Sequence, residues 1–198
     1  MKIANTGKDS ASCFHVSSRS HHWTILGGGL GACFIGLGLL LVICAAACDP
    51  VTGTGSGAPP DPKSYIRVDA TTRSAVVTLI AGHPATDIQF NYDGYGNGAL
   101  VLTVPVGWQV TIQCENHGTV PNSCAVVDNR SSTAPVRPDW STSEPQRGLD
   151  PGQSASFVFT PSTPGSYRIA SLVDGNEASG MWADLEVASG GVPTLTGS

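Results

Sequence analysis

"FNYDGYGNGALVLTVPVGWQVTIQCEN", residues 90–116, holds a polar, glycine-rich loop followed by two runs in which apolar side chains recur at every second position. A period of two is the spacing of a pleated strand with one buried face, because successive side chains point to opposite sides of a sheet. Between the runs, "PVGW" (105–108) supplies a proline with fixed φ and a glycine free to take positive φ, the ingredients of a tight turn. The stretch therefore reads as two strands, and it sets the period to look for on either side.

Moving outward, the same alternation recurs in "SAVVTLI" (74–80), "SCAVVD" (123–128), "SASFVFT" (154–160), "SYRIAS" (166–171) and "MWADLEV" (181–187). "NYDGYGNG" (91–98), "DPGQ" (150–153) and "TPGS" (163–166) punctuate them as turns. Short strands separated by turn signals roughly every ten residues predict an all-β sandwich or small barrel. No stretch of this region carries an amphipathic helical pattern, and no solenoid repeat is present. The folded domain is placed at 65–188.

The chain before it has a different composition. Residues 24–47, "TILGGGLGACFIGLGLLLVICAAA", contain no charged side chain, and at about 1.5 Å per residue a helix of this length crosses the roughly 30 Å core of a bilayer. Residues 1–23 carry Lys2, Lys8 and Arg19 against Asp9, while Asp49 and Asp61 come after the apolar run. The positive-inside bias then keeps residues 1–23 in the cytoplasm and exports everything after the segment at 24–48. Small residues ahead of Cys48 leave three readings open: a lipid-anchored Cys48, an uncleaved signal anchor, or release by a signal peptidase. The Gly, Pro, Ser and Thr of 49–64 read as a linker holding the domain off the membrane, and 189–198 as a disordered tail.

Charge narrows the function classes. Residues 49–198 contain seven Lys or Arg against fourteen Asp or Glu, a net charge of −7 with no basic stripe, which argues against a nucleic-acid partner. Nor does the chain contain HExxH, GxSxG or a Walker loop, so no enzymatic activity is expected.

Taken together, residues 90–116, "PNSCAVV" (121–127), "GLDPGQSASFVFTPSTPGSYRIA" (148–170) and "GMWADLEV" (180–187) resemble the sulfocyanins, a branch of the cupredoxins. The resemblance covers the whole exported domain in order, and the apolar N-terminal segment and polar linker are similar to that family's layout. It implies a Greek-key β-sandwich with a copper site at one end, held by His, Cys and His in a plane with a weak axial Met. Carried over motif by motif, the first His falls on Asn122 after Pro121, the Cys on Ala170, the second His on Asn176 after Gly175, and the Met on Met181 beside Trp182. A methyl group donates nothing to copper, and a neutral amide oxygen is a hard donor that suits Cu(I) poorly. The resemblance thus implies a degenerate site without copper, in which Asn122 and Asn176 can hydrogen-bond each other.

A second reading keeps copper and electron transfer through relocated ligands, Cys124, His117 and Met181. Against it, Cys114 and Cys124 fall at alternate, core-facing positions of neighbouring strands, where two cysteines of an exported domain can also form a disulfide or remain free thiols. His117, in the polar loop "ENHGTVPN", and His83, before Pro84, read as solvated. The Pro-rich connection at 128–148 reads as structureless, with Trp140 either a contact for an unknown protein partner, such as a membrane redox complex, or a lid on the sandwich.

Overall fold

A computed structural model describes residues 57–198. Residues 1–23, the apolar segment at 24–48 with Cys48, and the linker as far as residue 56 lie outside the described residues. The described residues form an all-β sandwich of nine strands: β1 (Ile66–Asp69), β2 (Ser74–Ala81), β3 (Leu100–Pro105), β4 (Gln109–Asn116), β5 (Ala125–Val127), β6 (Ser154–Phe159), β7 (Gly165–Ala170), β8 (Trp182–Ala188) and β9 (Thr194–Gly197). One sheet has the order β1-β2-β4-β6 and the other β5-β7-β8-β3-β9. Since β3 leaves the sheet that holds its sequence neighbours β2 and β4, those two pair in parallel, from Ser74 against Gln109 to Ala81 against Asn116.

In β2, β3, β4, β6 and β8 the alternation read from the sequence is largely the alternation of burial, whereas β5 is buried throughout and β7 is buried only at Ile169 and Ala170. Strand β2 buries Ala75, Val77, Leu79 and Ala81, and β4 buries Val110, Ile112, Cys114 and Asn116. Across the interlayer Val77, Leu79, Ala81, Val110, Ile112 and Cys114 meet Leu102, Val104, Ile169 and Leu185 of the second sheet in one apolar core. Each fully buried Val, Leu or Ile among them contributes about 1.5 to 3 kcal/mol on leaving water, and this common interest in one face fixes the strand register.

A disulfide links Cys114 to Cys124, with Cα atoms 6.1 Å apart. Both cysteines are buried, as their core-facing positions implied, but the strands concerned lie in different sheets. Cys114 belongs to β4, whereas Cys124 leads into β5 of the facing sheet, so the bond staples the two layers. The free-thiol reading is thereby corrected.

Three boundaries also differ from the sequence reading. The domain starts before residue 65: Pro62–Tyr65 form a 3-10 turn capped by the Asp61 carboxylate, and the Tyr95 hydroxyl donates to Pro60 O at 3.0 Å. The tail at 189–198 is ordered, because β9 pairs antiparallel with β3 and buries Leu195. Without it β3 would expose a row of unpaired backbone groups. The connection at 128–148 contains no strand but is not structureless. It doubles back along β5, with Val126 N donating to Trp140 O at 2.9 Å, Thr142 N to Cys124 O at 2.9 Å and Val136 N to Val126 O at 2.8 Å.

The loop after β2 buries an acid. Asp93, with no exposed surface, accepts a hydrogen bond from Ile80 N at 2.8 Å through Oδ1, while its Oδ2 has no partner among the described residues. Burial pushes its pKa up to about 7; the Ile80 N–H opposes that rise and the nearby Glu115 charge adds to it.

The staple and the buried acid each make a prediction for stability. Reductant should lower the urea midpoint of the wild type to that of a C114S/C124S variant, with a loss of about 2 to 4 kcal/mol; equal midpoints with and without reductant would contradict the staple. Because the folded pKa of Asp93 lies above its unfolded value, the folded state retains a proton that the unfolded chain releases. That contribution is complete below about pH 4 and is lost as pH rises towards 7. Relative to D93N, whose amide keeps the Ile80 contact, the wild type should lose up to about 4 kcal/mol across that window, and parallel stability profiles would refute the assignment.

Candidate functional site

At one end of the sandwich, where the connections into β5 and between β7 and β8 meet, a set of polar side chains is sealed from water. Asn116, Asn122, Ser123, Ser171 and Asn176 are all at most 5% exposed, and Met181 is fully buried beside them. Local backbone contacts deliver each one. Asn122 exchanges two backbone hydrogen bonds with Leu149, N to O at 3.1 Å and O from N at 2.7 Å. The loop from Ser171 to Met181 is closed at its neck by Ser171 N to Met181 O (3.1 Å) and Met181 N to Asn176 O (3.0 Å). Gly175, at φ 80°, takes the positive-φ step just before Asn176.

The side chains then satisfy one another. Asn176 Nδ2 lies 2.9 Å from Asn122 Oδ1, 2.9 Å from Pro121 O and 3.1 Å from Ser171 Oγ, sharing its two hydrogens among three acceptors. Asn122 Nδ2 donates to Val120 O at 3.0 Å and to Asn116 Oδ1 at 3.2 Å. Asn116 Nδ2 in turn reaches Val120 O and Leu149 O. Ser123 N donates to Ser171 Oγ at 3.1 Å, and Leu172 N to Ser123 Oγ at 2.9 Å. From the core side the Tyr92 hydroxyl donates to Ser123 O. A buried polar group without a partner costs about 1 to 3 kcal/mol, which is why so many amides in one place must be networked.

This geometry corrects one assignment. Along β7 the side chains alternate: Ile169 lies in the main core, whereas Ala170 packs in a separate apolar cluster with Ala125 and Val127, against Leu172 and Trp182. Ser171 is the next side chain turned to the Ile169 side, and its hydroxyl bonds Asn176. The position converging with Asn122, Asn176 and Met181 is therefore Ser171, not Ala170. Counting from the buried Ile169 by twos would have found it in the sequence.

The outer side of the same loop is clamped by charge. Arg168 Nη1 lies 3.1 Å from Glu177 Oε1, with the two side chains 20% and 14% exposed, and the guanidinium carbon sits 3.6 Å from the Trp182 ring centroid. Glu177 Oε2 also accepts from Ser131 N at 2.8 Å, which ties the 128–148 connection to the loop. Gly98, at φ +77°, admits Trp182 against its backbone; a Cβ there would lie 2.1 Å from the ring. Sequence reasoning missed this clamp, because Arg168 and Glu177 become neighbours only when the loop folds back on β7.

The donors on hand do not match a blue copper site. Two amides, a hydroxyl and a thioether offer neither thiolate nor imidazole, and the amides are engaged with each other and with backbone. The alternative set is not assembled either. Cys124 is bonded to Cys114, Met181 is buried, and the His117 side chain is 47% exposed and paired with Glu115 at 3.2 Å. Among the described residues no group of three or more His, Cys, Asp or Glu is placed to hold a metal ion. His83 is half-buried rather than free in solvent, its Nε2 3.1 Å from the Tyr65 hydroxyl and its Nδ1 accepting from Ala85 N. Burial, with a smaller contribution from His117, pushes its pKa down. Trp140 packs against Phe159, ring centroids 5.4 Å apart, on the flank of the sandwich rather than over the amide network.

The network should behave as one unit. N122A and N176A should each cost about 1 to 3 kcal/mol in denaturant unfolding, and the double variant clearly less than the sum; additive losses would mean the two amides act separately. M181L, a nearly volume-conserving change, should cost less than about 1.5 kcal/mol.

Comparison with known proteins agrees with the family resemblance of the folded domain. The family model for the Sulfocyanin (SoxE) domain matches residues 62–195. Sulfocyanin of Sulfolobus acidocaldarius is 29% identical over 133 residues, 61% of this chain and 66% of that protein. The chain therefore spans about two thirds of the length of that curated relative. Among solved structures, dithionite-reduced auracyanin from Roseiflexus castenholzii overlaps 57% of this chain and 96% of its own, at 21% identity and a TM-score of 0.41. Rusticyanin from Thiobacillus ferrooxidans overlaps 63% and 87%, at 18% identity and a TM-score of 0.45. The match to the family model over most of the folded domain establishes that this chain belongs to the sulfocyanin family of cupredoxins.

Proposed function

We propose that this chain is a sulfocyanin-like module held outside the cytoplasmic membrane that has given up copper and acts as a binding or accessory domain, not as an enzyme or electron carrier. The observation that carries the reading is the 2.9 Å hydrogen bond between Asn176 Nδ2 and Asn122 Oδ1, with Ser171 Oγ beside them. Reversible electron transfer needs donors that hold Cu(I) and Cu(II) in nearly the same geometry, and a thiolate with imidazoles does so. Amides and a hydroxyl already committed to one another offer copper no such set. The relocated carrier loses its thiolate to the Cys114–Cys124 bond. The tether is the uncharged segment at 24–48, as a signal anchor or through a lipid on Cys48, and a net charge of −7 over residues 49–198 fits a role away from nucleic acid.

Metal analysis of the full chain after copper loading and desalting tests this directly. The outcome expected is substoichiometric copper and no thiolate-to-copper absorption in the visible range, in oxidising buffer. Stoichiometric copper with that absorption would restore electron transfer as the function.

A further inference from the structure

Away from the amide network, a cavity of about 320 Å³ opens between the two sheets on the flank covered by the 128–148 connection. It shares no lining residue with the Asn122, Ser171 and Asn176 cluster, so its ligand chemistry is independent of whether copper binds there. Its floor is the inner face of the sandwich, Val126 of β5, Phe159 of β6 and Leu185 of β8, and its walls carry the aromatic rings of Trp140 and Tyr167. Arg137 is the one charged residue that lines it among the described residues.

We propose that this cavity binds a small planar apolar molecule bearing one anionic group, such as an aromatic carboxylate. Its volume lies within the roughly 300 to 1,000 Å³ of small-molecule sites, and an apolar lining with few polar groups is the usual composition of such sites. Flat apolar faces come from Trp140, Phe159 and Tyr167, with Trp140 and Phe159 inclined at 52° to each other. The sign of the ligand is set by charge. No carboxylate of the described residues lines the cavity, although residues 49–198 carry a net charge of −7. Arg137 Nε lies 3.2 Å from Asp139 Oδ1, and its guanidinium carbon 5.7 Å from the Trp140 ring centroid. Both members of that ion pair are more than 60% exposed, so solvent screens the pairing and leaves the guanidinium available to a ligand anion. Neither Nη group donates to a described residue, which leaves the fork free for a carboxylate. The hydroxyls of Thr160 and Thr163 add neutral donors along the rim.

Equilibrium dialysis of 2-naphthoate against the full chain in zwitterionic lipid nanodiscs, with empty nanodiscs subtracted, tests the proposal. The result expected is one saturable site per chain, weakened about tenfold or more by R137Q, since a hydrogen bond to a charged group contributes about 1.5 to 3 kcal/mol. The neutral analogue 2-naphthalenemethanol should bind the wild type and R137Q alike, and W140L should weaken both ligands. Absence of a saturable site above the empty nanodiscs, or equal 2-naphthoate binding by wild type and R137Q, would overturn it. Because Arg137 is exposed, R137Q leaves the core intact and its binding is readable.

Discussion

A buried amide that has left water must find another hydrogen-bonding group, and at the end of this sandwich Asn122 and Asn176 find each other. Asn122 belongs to the chain entering β5 and Asn176 to the loop joining β7 to β8, so the bond ties two connections together. Ser171 stands third in the cluster, its Oγ accepting from both Asn176 Nδ2 and Ser123 N. The loop is closed by its own backbone, with Met181 N to Asn176 O and Ser171 N to Met181 O holding its neck.

Around that cluster each structural device secures a different side. The Cys114–Cys124 bond joins the sheets close to the chain segment that carries Asn122. Tyr92, wholly buried, spans from the loop after β2 to Ser123 O, so the glycine-rich turn in which Asp93 is sequestered is coupled to the site through one side chain. Outside, Arg168 is shared between Glu177 and the Trp182 ring, an ion pair shielded enough from water to be worth more than a surface pair. None of these contacts requires a metal. A polar cluster satisfied on every side is rigid and specific, whereas the same residues left half-partnered would be costlier than an apolar plug.

Much of this was legible in the residues. Seven of the nine strands announce themselves by alternation, and the position of the two asparagines is carried by the family resemblance. The features that escaped have physical reasons. Strand β1, "IRVD", alternates over only four residues and exposes three of them, and β9, "TLTG", has a single apolar residue, Leu195, so neither carries a hydrophobic period long enough to read; both exist because a neighbour offers an unpaired backbone edge. The third site position is displaced by one residue when it is carried over from the family motif and not counted by parity from the buried Ile169. A slip of one moves a side chain to the opposite face of a sheet, and here it exchanges Ser171 for Ala170. The cavity under Trp140 could not be read at all, since it depends on a Pro-rich connection folding back along β5.

On the function proposed above, the sandwich retains the frame of a copper site whose donors have been replaced at Asn122, Ser171 and Asn176. Visible absorption after copper loading of the variant N122H/S171C/N176H tests it most directly, with N122H/A170C/N176H as the register control. A thiolate-to-copper band with about one copper per chain in the first variant, and none in the second or in the wild type, is the result this account requires. A band in the A170C combination instead, or one in the unaltered protein, would contradict it.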